Sequence, residues 1–182
     1  MDSLTFTLMY IALAYTGIGI VWVVTTPLSA LISARIVSWN TRVLQIGINV
    51  LHFVSAIFFP LPLPFDVPIR SFGLTILTVG MVLAIWAKIT MKENWGMPGI
   101  HAIARQKQLV KIGPFAYTRN PIYVGIVLMS FGMAIALKSP FVFLVFVLFS
   151  YFYHTILKEE NALAQHFGEE YIHYCSDVPR FI

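Results

Sequence analysis

A group of polar side chains stands where a long apolar run begins. Arg119, Asn120 and Tyr123 lie close together in the sequence, and Asn120-Pro121 is typical of a helix start, with Asn as the cap and Pro as the first helical residue. We therefore expect a cation, an amide and a phenol to gather at the mouth of an apolar helix. Polar groups in that position indicate a functional site.

A second group consists of the adjacent carboxylates Glu159 and Glu160. Neighbouring helical residues point about 100° apart, so the two need different partners. We expect one to face Arg119, Asn120 and Tyr123, and the other to face water or a basic loop. Taken singly, Glu159 and Glu160 suit the solvated start of a helix, where its dipole favours acids, and Arg119 suits a membrane anchor. Taken together, they favour a site.

The composition places these residues in a membrane protein. The chain has 182 residues, of which 58% are hydrophobic and 11% charged, whereas soluble domains carry about a quarter charged residues. The net charge of +4 fits the positive-inside rule and contact with anionic lipid, and we expect no nucleic-acid partner. One cysteine, Cys175, excludes an intrachain disulfide. The first apolar run lacks a basic flank, so we expect a retained helix rather than a cleaved signal.

The apolar runs predict an all-α integral membrane protein with five transmembrane helices. The predicted spans are 4–26, 42–59, 69–90, 121–137 and 141–157. We treat 1–182 as a single membrane domain. Residues 1–90 form three N-terminal helices, and 91–182 form a cofactor-binding loop, a C-terminal helical hairpin and a short cytoplasmic C-terminal helix. That last helix is predicted from the amphipathic pattern of residues 158–174.

Other residues inside the spans are assigned to packing. Four glycines are interpreted as positions of close helix contact: Gly17, Gly19, Gly73 and Gly80. Asn49 and His52 lie three apart on one helical face, and we expect an interhelical hydrogen bond from this face rather than proton or ion handling.

The orientation follows from the distribution of Lys and Arg. If loop 91–118 is cytoplasmic, ten of these residues lie inside and two, Arg70 and Lys138, lie outside. With five spans, the N-terminus is then outside and the C-terminus inside. The polar stretch near Arg119 and the Glu159-Glu160 pair fall at the same, cytoplasmic end.

Several other chemistries lack a sequence signature. There is no phosphate-binding loop, no dinucleotide fingerprint and no local Ser/His/Asp pattern. His154, His166 and His173 do not form a known metal-ligand spacing with Cys175, so we expect no metal site.

Two motifs carry a family resemblance. The first is Leu109-Val110-x-x-Gly113-Pro-Phe-x-Tyr-x-Arg119-Asn-Pro-x-Tyr123-x-Gly125, and the second is Glu159-Glu160-x-x-Leu163-x-x-x-Phe167-Gly168-x-x-Tyr171-x-x-Tyr174-x-x-x-Val178-Pro-Arg180. They resemble the signatures of the isoprenylcysteine carboxyl methyltransferases and their bacterial relatives, and the phospholipid N-methyltransferases share the outline. The resemblance covers residues from about 105 onward.

The resemblance implies that S-adenosylmethionine binds within the hairpin, beneath the C-terminal segment. By position, the implied cofactor contacts are Lys107, Gln108, Leu109, Val110, Phe115, Asn120, Pro121, Ile122, Tyr123 and Glu159. Arg119 and Glu160 are the implied catalytic pair, with Arg119 orienting an anionic acceptor or holding Glu160. A carboxylate and aromatic faces suit the cofactor's cationic groups, and amide or cationic donors suit its carboxylate.

The implied reaction is in-line methyl transfer to a lipophilic small-molecule or lipidated acceptor, which enters from the bilayer of a prokaryotic inner membrane. A carboxylate acceptor is already ionised and needs no general base. Two positions depart from the family pattern: Asn120 replaces a histidine, and Thr155, beside His154, stands near the place of a substrate arginine. The acceptor and the oligomeric state therefore stay open. A phospholipid amine N-methyltransferase and a non-catalytic membrane scaffold are the alternatives.

Overall fold

The structure is a computed structural model that describes residues 2–26, 39–94 and 106–181. Within these residues it contains helices and no strand. The α-helices are α1 (Ser3–Thr25), α2 (Trp39–Phe58), α3 (Asp66–Met91), α4 (Pro121–Ala136), α5 (Leu144–Phe167) and α6 (Glu169–Asp177). Short 3-10 helices lie at Lys92–Asn94, Gly113–Ala116 and Pro140–Phe143. Loop 91–118 is described only in part, because residues 95–105 lie outside the described ranges.

Apolar helices confirm an all-α integral membrane protein. Within the described residues, three helical segments are long and apolar enough to cross a bilayer: Ser3–Thr25, Asp66–Met91 and Pro140–Phe167. Two shorter apolar helices, Val43–Phe58 and Pro121–Ala136, accompany them. The count of five spans thus stays a prediction. Large apolar side chains are exposed along the long helices, as lipid contact requires: Leu13, Val24, Val79 and Phe146.

Helices α3 and α4 pack with their backbones in contact. A Cβ atom added to Gly73 would lie 2.3 Å from the nitrogen of Ala136, and one added to Gly80 would lie 2.6 Å from the carbonyl oxygen of Gly125. Separations this short leave room only for hydrogen, so glycine is required there. The predicted packing role of Gly73 and Gly80 is confirmed.

Helix α1 packs differently, and the prediction for its glycines is wrong. A Cβ atom added to Gly17 or Gly19 would meet nothing within 4 Å in the described part of the chain. The contact of α1 with the bundle instead runs through Ile11 and Ala14, which join a core with Leu77 of α3. Side chains on another face of α1 make the contact, so these glycines bring no backbones together.

Helix α2 makes a tertiary hydrogen bond through His52, as predicted, but its partner lies in a turn and not on another helix. The His52 ring nitrogen Nδ1 lies 2.9 Å from the Ser139 hydroxyl, in the turn between α4 and α5. Ser55 donates to the same hydroxyl at 2.7 Å. Asn49 takes no part in this bond, and its Oδ1 accepts no hydrogen bond within the described residues.

Helix α5 is longer than the sequence pattern predicted. The expected end at residue 157 is wrong, because the helix runs on to Phe167 and turns at Gly168, whose φ of 56° is readily adopted by glycine. No helix breaker lies between these positions. Glu159 and Glu160 therefore lie inside a continuous helix, and the residues at the start of the next helix are Glu169 and Glu170.

An ion cluster connects the starts of α1 and α3 with the end of α4, at the end of the bundle away from Glu159. Asp66, at the start of α3, accepts from Arg70 Nε at 2.9 Å and Lys138 Nζ at 2.5 Å, and also from Ser3 at the start of α1. Arg70 Nη1 donates to the carbonyl of Ala136 at 2.9 Å. The cluster links α1, α3 and the end of α4.

Candidate active site

The first contact of the site joins α4 to α5. Tyr123, in the first turn of α4, donates its hydroxyl to Glu159 Oε1 at 2.9 Å. Its ring is 8% exposed and lies 5.0 Å from the ring of Phe152, in a core that includes Ile48 and Ile156. Packing therefore fixes the phenol, and the phenol in turn holds the Glu159 carboxylate.

Glu160 has partners different from those of Glu159, as predicted for adjacent helical residues, but the expectation that the second carboxylate faces water or the basic loop is wrong, because both turn toward the group at the start of α4. Arg119 Nη2 lies 3.2 Å from Glu160 Oε1, and Arg180 contacts Oε2 through Nε at 2.9 Å and Nη2 at 2.7 Å. The Glu160 side chain is 12% exposed. The hydrogen bonds to Glu160 raise the pKa of the Arg180 guanidinium, so Arg180 stays positively charged at any physiological pH.

Asn120 occupies the cap position of α4, but its side chain makes no capping hydrogen bond. The amide Nδ2 donates instead to Glu160 Oε1 at 3.4 Å and to the carbonyl of Arg180 at 3.2 Å. The interpretation as a side-chain cap is wrong, because the Nδ2 contacts orient the side chain toward Glu160 and Arg180 and its oxygen does not accept from the N–H groups of the helix. Thr118 Oγ1 accepts from the Asn120 backbone N–H at 3.3 Å.

The segment after α6 closes the site from the other side. The carbonyl of Pro179 accepts from the Arg119 backbone N–H at 3.0 Å, and that of Arg180 accepts from the Thr118 hydroxyl at 2.9 Å. Sequence reasoning missed Arg180 as a site residue and counted it only as a cytoplasmic charge and part of the second motif. The available signal was its place at the end of that motif, after Val178 and Pro179.

Helix α6 covers the loop that precedes α4. Tyr174 donates to the carbonyl of Phe115 at 2.6 Å, and burial raises the pKa of Tyr174 to about 12. Burial and then the Glu160 charge raise the pKa of Tyr171. Both phenols are thus neutral donors near pH 7. At the edge, Lys111 pairs with Glu170 at 2.7 Å.

The remaining predicted cofactor residues differ in how deeply they are buried beside these contacts. Phe115 and Pro121 are buried beside the start of α4, and Val110 and Ile122 are half-buried. Leu109 packs beneath α6. Lys107 and Gln108 lie on an exposed loop, and their backbone N–H groups donate to Asn94 Oδ1 at 3.1 and 3.4 Å.

One buried donor points to an anionic ligand. Arg119 Nε is buried and makes no hydrogen bond within the described residues, while Nη1 donates to the carbonyl of Cys175 at 3.3 Å. Buried polar groups are normally satisfied, so this donor needs an explanation. A carboxylate oxygen would satisfy it. The Tyr123–Glu159 pair can likewise hold a cation.

Fold and site together define an integral membrane protein with a charged site at one end of an apolar helical bundle. The sequence model of the phospholipid methyltransferase family matches residues 69–170, more than half of the chain and both halves of the site. The chain belongs to this family of methyltransferases.

Its relatives include isoprenylcysteine enzymes. The chain is 31% identical to protein-S-isoprenylcysteine O-methyltransferase B of Arabidopsis thaliana over 138 residues, 72% of this chain and 68% of that protein. It is 32% identical to the protein-S-isoprenylcysteine O-methyltransferase of Xenopus laevis over 113 residues, which are 59% of this chain and 38% of that protein. It is 31% identical to the protein-S-isoprenylcysteine O-methyltransferase of Saccharomyces cerevisiae over 104 residues, which are 54% of this chain and 44% of that protein. These matches confirm the resemblance seen in the two motifs. No solved structure matches the chain.

Proposed function

We propose that the protein transfers a methyl group from S-adenosylmethionine to the carboxylate of a lipophilic acceptor, as the names of its relatives indicate for theirs. The observation that carries this proposal is the pairing of two adjacent carboxylates with different partners. Glu159 is held by Tyr123, and Glu160 is held by Arg119 and Arg180. The Glu159 carboxylate suits a cation by its charge, and that of Glu160 braces the guanidinium groups that receive an anion.

The residues fit the cofactor. When bound, S-adenosylmethionine supplies an electrophilic methyl group on a sulfonium. Glu159 suits the cationic groups of this molecule, and Arg119 Nε and the Asn120 amide suit its carboxylate. We assign the cofactor site to Lys107, Gln108, Leu109, Val110, Phe115, Asn120, Pro121, Ile122, Tyr123 and Glu159.

The catalytic work is positioning. An acceptor carboxylate is ionised near pH 7, so no residue has to remove a proton. Arg119 and Glu160 are the proposed catalytic pair: Glu160 fixes the guanidinium groups, and these orient the acceptor while the bundle excludes water.

The site lies at the cytoplasmic end of the bundle in our proposal. Five spans, with α4 and α5 as a hairpin, place the N-terminus outside and the C-terminus inside a prokaryotic inner membrane, in one domain. The acceptor then enters from the bilayer, which is the protein's lipid partner, and the cofactor enters from the cytoplasm.

Calorimetry with S-adenosylhomocysteine on the purified protein tests the cofactor site. Glu159→Gln keeps the shape but removes the charge, and we expect binding to weaken roughly 10- to 100-fold, the range for hydrogen bonds to charged groups. Glu169→Gln, on the exposed face of α6, is the matched control and should leave binding unchanged. Equal affinity in wild type and Glu159→Gln contradicts the proposal.

A phospholipid amine is the second candidate acceptor, favoured by the description of the matching family. Membranes incubated with methyl-labelled cofactor separate the two, because base releases the label from a methyl ester as methanol but leaves an N-methyl amine intact. A base-stable lipid product would select the amine. A non-catalytic scaffold would give no labelled product and would tolerate the joint loss of Arg119, Tyr123 and Glu159.

A further inference from the structure

An exposed row of aromatic rings leads along α5 to the site. Phe146, Phe149 and Tyr153 share one face of the helix, since they are spaced by three and four residues. Phe146 is 75% and Phe149 is 40% exposed. Phe181 folds back onto this face, with its ring 5.3 Å from that of Phe149 and 6.3 Å from that of Tyr153. We name these four residues the aromatic strip.

The neighbouring face of α5 already has its partners. Leu148, Phe152 and Ile156 are at most 1% exposed and belong to the core around Tyr123. Of the strip, Phe181 also packs against this core, whereas Phe146 and Phe149 remain exposed. The strip therefore borders the core and presents apolar rings at the outside of α5, beside the face that carries the site.

Arg180 stands at the end of the strip. Its Cζ atom lies 5.7 Å from the centre of the Tyr153 ring, and its side chain is 32% exposed. Glu160 engages Nε and Nη2, whereas Nη1 makes no hydrogen bond within the described residues. Arg119, by contrast, is 11% exposed and turned inward. Of the two guanidinium groups, that of Arg180 is the one a molecule on the strip can reach.

The local charge selects the occupant. Arg119 and Arg180 share the carboxylate of Glu160, and Arg180 is the cation that lies over Tyr153 at the end of the strip, so its charge is only partly balanced by Glu160. A hydrocarbon chain matches the rings, and an anionic head matches the guanidinium. A cationic head would be repelled, and a neutral head would leave Nη1 without a strong acceptor.

We propose that the aromatic strip binds the hydrocarbon chain of the methyl acceptor and that Arg180 binds its carboxylate. This rests on the proposed function and sharpens it, since it assigns the acceptor to Arg180 and leaves Arg119 to hold Glu160 and the cofactor end. The acceptor is then an anionic amphiphile that reaches the site along the outer face of α5.

Photolabelling tests this assignment without requiring turnover. The protein is placed in phosphatidylcholine nanodiscs, with and without S-adenosylhomocysteine, and exposed to a 16-carbon fatty acid that carries a diazirine in its chain, or to its methyl ester. We expect the acid to label the peptide with Phe146, Phe149 and Tyr153 about tenfold more than the ester, the ratio of a charge-assisted hydrogen bond. Arg180→Gln should lower labelling by the acid to that of the ester, and Arg180→Lys should retain part of it.

Further variants separate docking from folding. Tyr153→Leu and Phe149→Ala leave the Glu160 ion pairs in place, and both should lower labelling by acid and ester alike. Val147→Ala, on an exposed face of α5 away from the strip, should change neither. Equal labelling by acid and ester, an unchanged ratio in both Arg180 variants, or label confined to other helices would overturn the assignment. Failure of S-adenosylhomocysteine to bind would contradict the proposed function. It would not decide the docking proposal, which the labelling in the absence of S-adenosylhomocysteine tests by itself.

Discussion

Two carboxylates at different ends of the bundle each hold two cations. Asp66 binds Arg70 and Lys138, and Glu160 binds Arg119 and Arg180. The difference lies in exposure and in what the cations do next. The Asp66 side chain is 38% exposed, and Arg70 also satisfies a backbone carbonyl at the end of α4. Glu160 is 12% exposed, and its neighbour Arg119 keeps a buried donor, Nε, that finds no partner in the described part of the chain.

The two clusters therefore differ in purpose although their composition is alike. Around Asp66, the contacts join the ends of helices, which is what a structural clasp requires. Around Glu160, a buried donor and a half-exposed guanidinium remain available to a ligand. Charge count alone does not distinguish the two clusters; the unsatisfied guanidinium donor beside Glu160 does.

The largest expected effect is that of Glu160→Gln. It leaves two guanidinium groups facing a neutral amide, and removing one partner of a nearly buried ion cluster costs about 3 kcal/mol. We expect the free energy of unfolding in mixed micelles to fall by about this much and methyl transfer to be lost. An unchanged free energy of unfolding in Glu160→Gln would show that the ion pairs around Glu160 stabilise the protein no more than those around Asp66.

Tyr123→Phe should have the next largest effect. It removes the 2.9 Å hydrogen bond to Glu159 but keeps the ring that packs on Phe152. We expect the affinity for S-adenosylhomocysteine to fall roughly tenfold, since a hydrogen bond to a charged group is worth about 1.5 kcal/mol or more. Calorimetry measures this change, with Tyr10→Phe, which loses only a bond to Thr78 on the other side of α3, as the control.

Asp66→Asn serves as the comparison from the opposite end. Its carboxylate is more exposed, so we expect a loss of about 1 kcal/mol in the free energy of unfolding. The affinity for S-adenosylhomocysteine should change less than about twofold, because the cluster touches no part of the site. A large loss of cofactor affinity in this variant would mean that the two ends are coupled, and the distinction between clasp and site would fail.

The sequence predicted the features of this comparison that depend on local pattern. The helix start at Pro121, the divergence of Glu159 and Glu160, and the packing roles of Gly73 and Gly80 follow from residue spacing and size. Arg180 could not be placed, because its position depends on how the segment after α6 folds back onto Glu160.

A tertiary contact explains one local error, and the sequence pattern explains the other. Asn120 has the right type for a side-chain cap, but its amide nitrogen is turned toward Glu160, and its oxygen does not accept from the helix end. The end of α5 was placed too early because a change from apolar to polar pattern marks the edge of a membrane, while the helix itself continues until Gly168.

The smallest expected effect is that of salt on the free energy of unfolding. It also distinguishes the Asp66 cluster from the Glu160 cluster most directly. Mobile ions screen exposed charges within a few Å at about 1 M salt, whereas buried pairs are screened much less. The destabilisation caused by Asp66→Asn should therefore shrink by about half between roughly 0.05 and 1 M potassium chloride, because the wild-type cluster loses part of its contribution. The destabilisation caused by Glu160→Gln should stay nearly constant over that range. Equal salt dependence of the two variants in mixed-micelle unfolding would mean that Glu160 is as accessible to ions as Asp66. In that case the unsatisfied donor of Arg119 would be reached by solvent and would no longer single out this end as the site.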